Sequence, residues 1–336
     1  MHGRARPQRL RYRDANASDI PAIVETFDGR NALPLEPRLR RALPALLRQL
    51  MSSPACTFTV FEEEGWQGPQ VTSFAAGLLV RDAVIEAYLA APQPRLVASI
   101  LASVLDGGNP LLTLDEIRRA NSDDGLELVL FPIPLGRMNW DDPQLVELRR
   151  LAPQAFLRSI GGYRLRAIYY EVFTDEAAAY IEAAGYCRLH DYSAQAGTGI
   201  LTRDCRPCML RLTRADLPPA AMSMASQLFD PPPPRLGLTL AEQRVALRAL
   251  DGASDRSIAE SLGLSGETVR SNWRSIYRRR SPVLGVVEAQ ARRPGAAARG
   301  YEKRRVAVEY LRQNLQELRP SLATAPRGPG PRPGPR

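Results

Sequence analysis

Residues 238–280 read LTLAEQRVALRALDGASDRSIAESLGLSGETVRSNWRSIYRRR, and this stretch decides the architecture of the C-terminal part of the chain. Thr239 followed by Glu242 forms a capping box, so a helix begins at Leu240. Val245, Leu247 and Leu250 supply its apolar positions, and Gly252 closes it. Ser254 caps a second, short helix that turns Ile258, Ala259 and Leu262 inward; Gly263 permits a tight turn, and Ser265 caps a third helix. In that helix Val269, Trp273 and Ile276 fall on one face as a buried stripe, while Arg270, Arg274 and Arg278 form the opposite, exposed stripe. Two short helices with a tight turn and an arginine-faced second helix are what a helix-turn-helix needs to enter the major groove.

The charge distribution points the same way. The chain has 336 residues, a net charge of +9, and one lysine, Lys303. Residues 1–237 hold 26 arginines against 27 acids, a net of −1, whereas residues 238–336 hold 19 basic residues against 9 acids, a net of +10. Positive charge confined to one end marks a segment that binds a polyanion, joined to a neutral body. Arginine-rich coding bias would not produce that asymmetry.

Working outward, Pro231 to Pro234 followed by Arg235, Leu236 and Gly237 is a stiff spacer, since proline fixes φ and lacks an amide donor. At about 3.1 Å per residue, four prolines hold two bodies roughly 12 Å apart. The organisation expected is a basic N-terminal arm over 1–13, an α+β domain over 14–228, and a proline-rich linker over 229–237. The three helices of 238–280 follow, then a second linker over 281–300, a C-terminal helix over 301–319 and a disordered tail over 320–336. Five arginines lie within the first thirteen residues with no apolar stretch after them, so no secretory signal is expected. No apolar run reaches the roughly 18 residues of a membrane span; the nearest, Phe74 to Ala91, is broken by Arg81, Asp82 and Glu86. Four cysteines do not make a disulfide framework, and a reducing cytoplasm is the expected compartment.

The N-terminal body mixes two periods. Asp19 to Phe27 and Leu39 to Met51 read as helices, the second with Leu43, Leu46, Leu47 and Leu50 on one face. Thr57 to Glu62 and Val71 to Val80 read as a strand hairpin, and Leu126 to Ile133 as another strand. Leu145 to Ile160 is a helix stopped by Gly161 and Gly162. Arg166 to Phe173 is a strand, Asp175 to Ala184 a helix, and Cys208 to Leu212 a short final strand. An α+β domain with a mostly antiparallel or mixed sheet follows.

Residues 238–280 resemble the LuxR/FixJ-type DNA-binding domain, through Leu238-Thr239, Ala241-Glu242, Val245, Gly252, Ile258-Ala259, Leu262, Ser265, Thr268-Val269 and Ile276. The resemblance implies base reading by Arg270, Ser271 and Arg274, with Arg256, Ser265, Thr268 and Arg278 placed for phosphates. Asn272 stands where many members have histidine, and Arg279-Arg280-Ser281 replaces the usual Lys-Leu before the dimerising helix. Its expected substitute is Glu302 to Arg319, with Val308, Leu311, Leu315 and Leu318 spaced for a short coiled coil or for packing on its own domain. A small interaction bundle and region 4 of a sigma factor are the competing readings of the same helices.

Chemistry in the body is constrained by its residues. Only His2 and His190 exist, so a Ser-His-Asp or Cys-His machine would have to run through His190. No GxxxxGK[ST] loop is present, which excludes P-loop chemistry. The order of elements, with the segment TDEAAAYIEAAGY over 174–186, resembles a GNAT acyltransferase across about residues 10–215. Ala177, Gly185 and Tyr186 fit that family's pattern; Thr174 replaces its Asn, and Ile181 occupies the general-acid tyrosine position with Tyr180 one residue away. The acyl-CoA loop should fall on Leu135 to Pro143, LGRMNWDDP, which offers one glycine and two acids. Cys187, His190, Cys205 and Cys208 form CxxH and CxxC pairs whose spacing suits a zinc ribbon, with Cys187 facing Cys208 and His190 facing Cys205 across a hairpin. The alternative is two buried cysteines, a solvated histidine and a turn.

These readings converge on a cytoplasmic transcriptional regulator that binds duplex DNA as a homodimer under a small-molecule or protein effector, with RNA polymerase a further partner and no required cofactor. A GNAT-fold acyltransferase using acetyl-CoA, with an appended DNA-binding module, is the alternative.

Overall fold

The computed structural model describes residues 10–65, 68–135, 142–217, 226–291 and 300–322. The chain forms two compact units, Met1–Asp230 and Pro231–Arg336.

The first unit runs β1 (Leu10–Asp14), α1 (Ile20–Thr26), α2 (Pro37–Ser52), β2 (Cys56–Gly65), β3 (Gly68–Val80), α3 (Asp82–Ala90), α4 (Leu96–Leu105), α5 (Leu114–Ser122), β4 (Leu126–Leu130), α6 (Pro143–Ile160), β5 (Leu165–Val172), α7 (Asp175–Ala183), β6 (Cys187–Asp191), β7 (Cys208–Thr213) and α8 (Ser226–Phe229). The strands make one mixed sheet, ordered β1-β2-β3-β4-β5-β7-β6. Neighbours are antiparallel except β4 and β5, which run parallel. The result is a mixed α/β unit, consistent with a GNAT-like domain.

The apolar periods decide which helices form and what they bury. In α2, Leu39, Leu43, Leu46, Leu47 and Leu50 are all buried, and Pro37 sits in the first turn where no amide donor is needed. α6 ends at Gly161, and Gly162 takes φ +87°. Several elements escape the period-based reading, among them β1, α3, α4 and α5. The segment expected as a basic arm over 1–13 contributes β1 from Leu10 onward, while residues 1–9 lie outside the described set. Its arginines are neutralised locally: Arg11 and Arg13 both reach Glu62 on β2, at 2.7 and 3.0 Å, and Arg13 also pairs with Asp19 at 2.8 Å. The apolar run Phe74 to Ala91 is a strand and a helix, divided at Arg81. Helix α4, LVASILASVL, buries six residues and has only Ser99 and Ser103 as polar positions, so its period is weak. Phe229 is buried with the first unit's core, so the linker begins at Pro231 and not at 229.

Among its described residues the second unit is all-helical: α9 (Leu240–Leu250), α10 (Asp255–Leu262), α11 (Gly266–Ala291) and α12 (Gly300–Gln313). Thr239 closes the expected capping box with Glu242, and Ser254 caps α10. α11 runs on through Ala291, into the segment expected as the linker 281–300, of which residues 292–299 are not described. The expected C-terminal helix 301–319 ends at Gln313, where Asn314 leaves helical geometry at φ −132° and donates from its side chain to the Tyr310 carbonyl. Leu311 and Leu318 are buried and Val308 and Leu315 packed in this unit's own core, which is the second of the two roles expected for this stripe. The tail beyond Leu322 lies outside the described residues.

Candidate functional site

Helix α11 presents two opposed faces. Val269, Trp273 and Ile276 are buried at 0%, 3% and 0% exposure, with Trp273 stacked on Tyr277. Arg270, Ser271, Arg274 and Arg278 are exposed, as are Arg256 on α10 and Ser265 and Thr268 at the start of α11. Between the two helices Gly263 takes φ +64°, the left-handed conformation that lets the chain turn within three residues. Ser265 Oγ accepts the Thr268 amide at 3.1 Å and lies 2.8 Å from the Thr268 hydroxyl, so the helix opens on a neutral cap. Glu267 sits between the two predicted base-reading arginines, 2.8 Å from Arg270 and 3.1 Å from Arg274. The Arg270 guanidinium, with Arg274 behind it, holds the Glu267 carboxyl below its usual range. Arg304 of α12 locks the other face: its guanidinium lies 5.3 Å from the Trp273 ring centre and pairs with Asp255 at 2.8 Å. All seven residues predicted from sequence thus lie on accessible surface of α10 and α11.

The first unit holds a second feature that sequence reading missed. β4 and β5 stay in register as far as Leu130 and Tyr170, then part. β5 continues beside β7 to Val172, while residues 131–135 bend away. The sequence FPIPL explains the departure, because Pro132 and Pro134 cannot donate to a ladder. The remaining donors are all spent. The Phe131 amide bonds Ala76 O at 2.9 Å, the Leu135 amide bonds Arg30 O at 2.7 Å, and the Ile133 amide bonds the Tyr170 hydroxyl at 3.3 Å. The strand expected to reach Ile133 therefore stops at Leu130. A cavity of about 310 Å³ opens at this divergence, walled by Leu130, Ile133 and Tyr170 from the sheet and by Leu148, Ala152 and Ile181 from α6 and α7.

Its chemistry is sparse. Arg149 is the one charged residue among the described lining residues, which include no carboxylate, histidine, cysteine or lysine. Arg149 stacks 5.2 Å from the centre of Tyr180, whose hydroxyl donates to the Arg149 carbonyl at 3.3 Å. Both Tyr180 and Ile181, the residues at and beside the expected general-acid position, line the cavity. Burial pushes the Tyr170 phenol up to about 12 and raises those of Tyr180 and Tyr186, so all three are protonated at neutral pH. Of the expected acyl-CoA loop, residues 136–141 lie outside the described set. Where the chain resumes, Asp142 caps α6 by accepting the Gln144 amide at 2.8 Å. A carboxylate already occupies the helix N-terminus that would otherwise attract phosphate.

The Cys/His residues do not converge as the hairpin register predicts. The hairpin sets Cys187 opposite Arg211, His190 opposite Met209 and Cys208 opposite Asp191. His190 packs edge-on against Tyr88, with ring centres 5.9 Å apart, and Cys205 and Cys208 are buried thiols whose pKa burial pushes to about 11. Among the described residues no group of three His, Cys, Asp or Glu side chains is arranged to hold a metal ion.

No protein-family model matches the chain, and no curated protein matches it. Among solved structures it is similar to the spermidine/spermine N-acetyltransferase SpeG from Vibrio cholerae, at 12% identity and a TM-score of 0.34 over 61% of this chain and 94% of that one. An N-acetyltransferase from Staphylococcus aureus Mu50 aligns at 12% identity and a TM-score of 0.35, over 61% and 98%. An uncharacterized protein from Bacillus halodurans aligns at 11% identity and a TM-score of 0.35, over 66% and 90%. The neighbours thus include acetyltransferases, but likeness at this level carries no argument about this chain. No helix among the described residues is long and apolar enough to cross a membrane.

Proposed function

We propose that the chain is a DNA-binding transcriptional regulator in which α10 and α11 act as a helix-turn-helix and the GNAT-like first unit carries a regulatory site. One observation carries this reading. The arginines of α11 are segregated onto the face opposite its buried Val269–Trp273–Ile276 stripe, in the part of the chain that holds the excess positive charge. Arg270 and Arg274 lie one turn apart, within reach of guanine O6 and N7 in a major groove; Arg256 and Arg278 suit flanking phosphates. Selection of bound duplexes from a random pool by the full-length protein tests the proposal. Enrichment of a defined motif supports it, and absence of binding even at low salt overturns it.

Acyl transfer, with the helical unit as a DNA-targeting module, is the second reading, and the parallel β4–β5 pair that opens into a cavity favours it. The lining weighs against it. Deprotonating an amine needs a base, and the described walls offer only protonated phenols and Arg149. Saturable acetyl transfer from acetyl-CoA to amines by the full-length chain would establish this reading instead.

A further inference from the structure

The cavity between the parted ends of β4 and β5 holds the Tyr170 phenol at its floor. The Tyr170 hydroxyl accepts the Ile133 amide, and among the described residues its own proton has no acceptor. Tyr170 is buried, at 6% exposure, and its ring is fixed edge-on against Tyr186, with centres 6.4 Å apart. The phenol is therefore a pre-oriented donor set in a wall of leucine, isoleucine, alanine and phenylalanine side chains.

Three classes of ligand are disfavoured by the described residues of this wall and its surroundings. An ammonium ion would have to shed its water with no carboxylate among the described lining residues to meet it, and burying an unpaired charge is costly. An extended amide-bearing arm cannot add as a strand to the β4 side of the opening, because the amides of Phe131, Ile133 and Leu135 are taken and Pro132 and Pro134 have none. A nucleotide diphosphate meets the Asp142 carboxylate at the N-terminus of α6. Arg149, the one charged residue of the described wall, is already engaged with the Tyr180 ring. The rest of the described wall is apolar but for hydroxyls and Asn31, which suits an uncharged, largely apolar molecule with one hydrogen-bond acceptor. A volume of about 310 Å³ is at the small end of the ~300–1,000 Å³ range of ligand sites. We propose that this cavity binds a neutral apolar carbonyl compound, a ketone or ester whose oxygen accepts from the Tyr170 hydroxyl while its hydrocarbon part fills the space beside Leu148, Ala152 and Ile181. This deepens the regulatory reading of the first unit by naming the chemistry of its effector.

Prodan, a neutral naphthyl ketone whose emission moves to the blue when its carbonyl loses a hydrogen bond, tests the proposal on the full-length protein. Saturable binding is expected, with affinity falling about fivefold to tenfold and emission shifting blue in Tyr170→Phe, a change that one missing hydroxyl makes without altering ring packing. Ala152→Phe, which fills the space from α6, should abolish saturation. Non-saturable binding by the parent protein, an unchanged affinity and spectrum in Tyr170→Phe, or displacement of the dye by coenzyme A would overturn it. None of these readings involves DNA, so a failure here is distinct from a failure of the helix-turn-helix to bind a duplex.

Discussion

Replacing Glu317 by alanine should cost the second unit about 3–5 kcal/mol of stability. The carboxylate is fully buried, at 0% exposure, and is saturated with donors. It accepts the backbone amides of Arg235 and Leu236 at 2.8 Å each and the Tyr310 hydroxyl at 3.2 Å. A hydrogen bond to a charged group contributes about 1.5–3 kcal/mol, and the three together set the upper end. Part of that returns in the variant, because Arg235 is exposed and water can reach its amide, whereas Leu236 at 4% exposure stays stranded. The cost of dehydrating the carboxylate in the parent protein lowers the net further. Against a total of about 5–15 kcal/mol for a domain, the loss is large. Urea titration of the full-length protein, followed by hydrogen exchange of the second-unit amides, measures it, and the Leu236 amide should lose protection first. Glu317→Gln, which keeps one acceptor oxygen, should fall between. A loss below about 1 kcal/mol for Glu317→Ala would refute the reasoning, since it would mean that burial of the charge cancels its bonds.

Glu171 is 1% exposed, and burial raises its carboxyl to about 7 although the Leu96 amide donates to it at 3.0 Å. The folded unit then holds a proton that the unfolded chain releases between its ordinary carboxylate value and about 7, so first-unit stability should fall as pH rises from about 5 to about 8. Glu171→Gln should flatten that slope, and denaturation midpoints against pH will decide. Metal analysis of purified protein should find well under one zinc per chain, because the β6–β7 register separates Cys187 from Cys208; a full equivalent lost on Cys205→Ser would contradict this. Gly263→Ala should cost roughly 1–2 kcal/mol through its φ of +64°, with no clash because nothing lies within 4 Å of the added carbon, and a neutral result by thermal melting would count against the turn geometry.

The sequence makes legible whatever is decided locally. The caps at Thr239, Ser254 and Ser265 and the Val269–Trp273–Ile276 stripe need only residues a few positions apart. β1 was hidden because its arginines look like a solvated arm until Glu62, some fifty positions away, is folded beside them. α4 was hidden because only Ser99 and Ser103 mark its outer face, too few polar positions to set a period. The β6–β7 register was misread because β7 begins only at Cys208, which leaves Cys205 in the connection and moves the partners of Cys187 and His190 to Arg211 and Met209. The cavity depends on two strands parting, which no single window contains. Its signal was nonetheless present in FPIPL, where alternate prolines rule out a continued ladder.

The most direct test of the central claim is a salt titration of full-length protein and two arginine variants on a selected duplex and a random one. Arg274 and Arg278 lie one turn apart on the exposed face of α11, and the proposed reading assigns the first to base edges and the second to the backbone. Arg274→Ala should lose about 1–3 kcal/mol of discrimination and bring the two duplexes toward equal affinity. Arg278→Ala should weaken both by similar factors and reduce the salt slope by about 0.9. An unchanged ratio of selected to random affinity in Arg274→Ala would contradict the assignment of α11 as the helix that reads the groove.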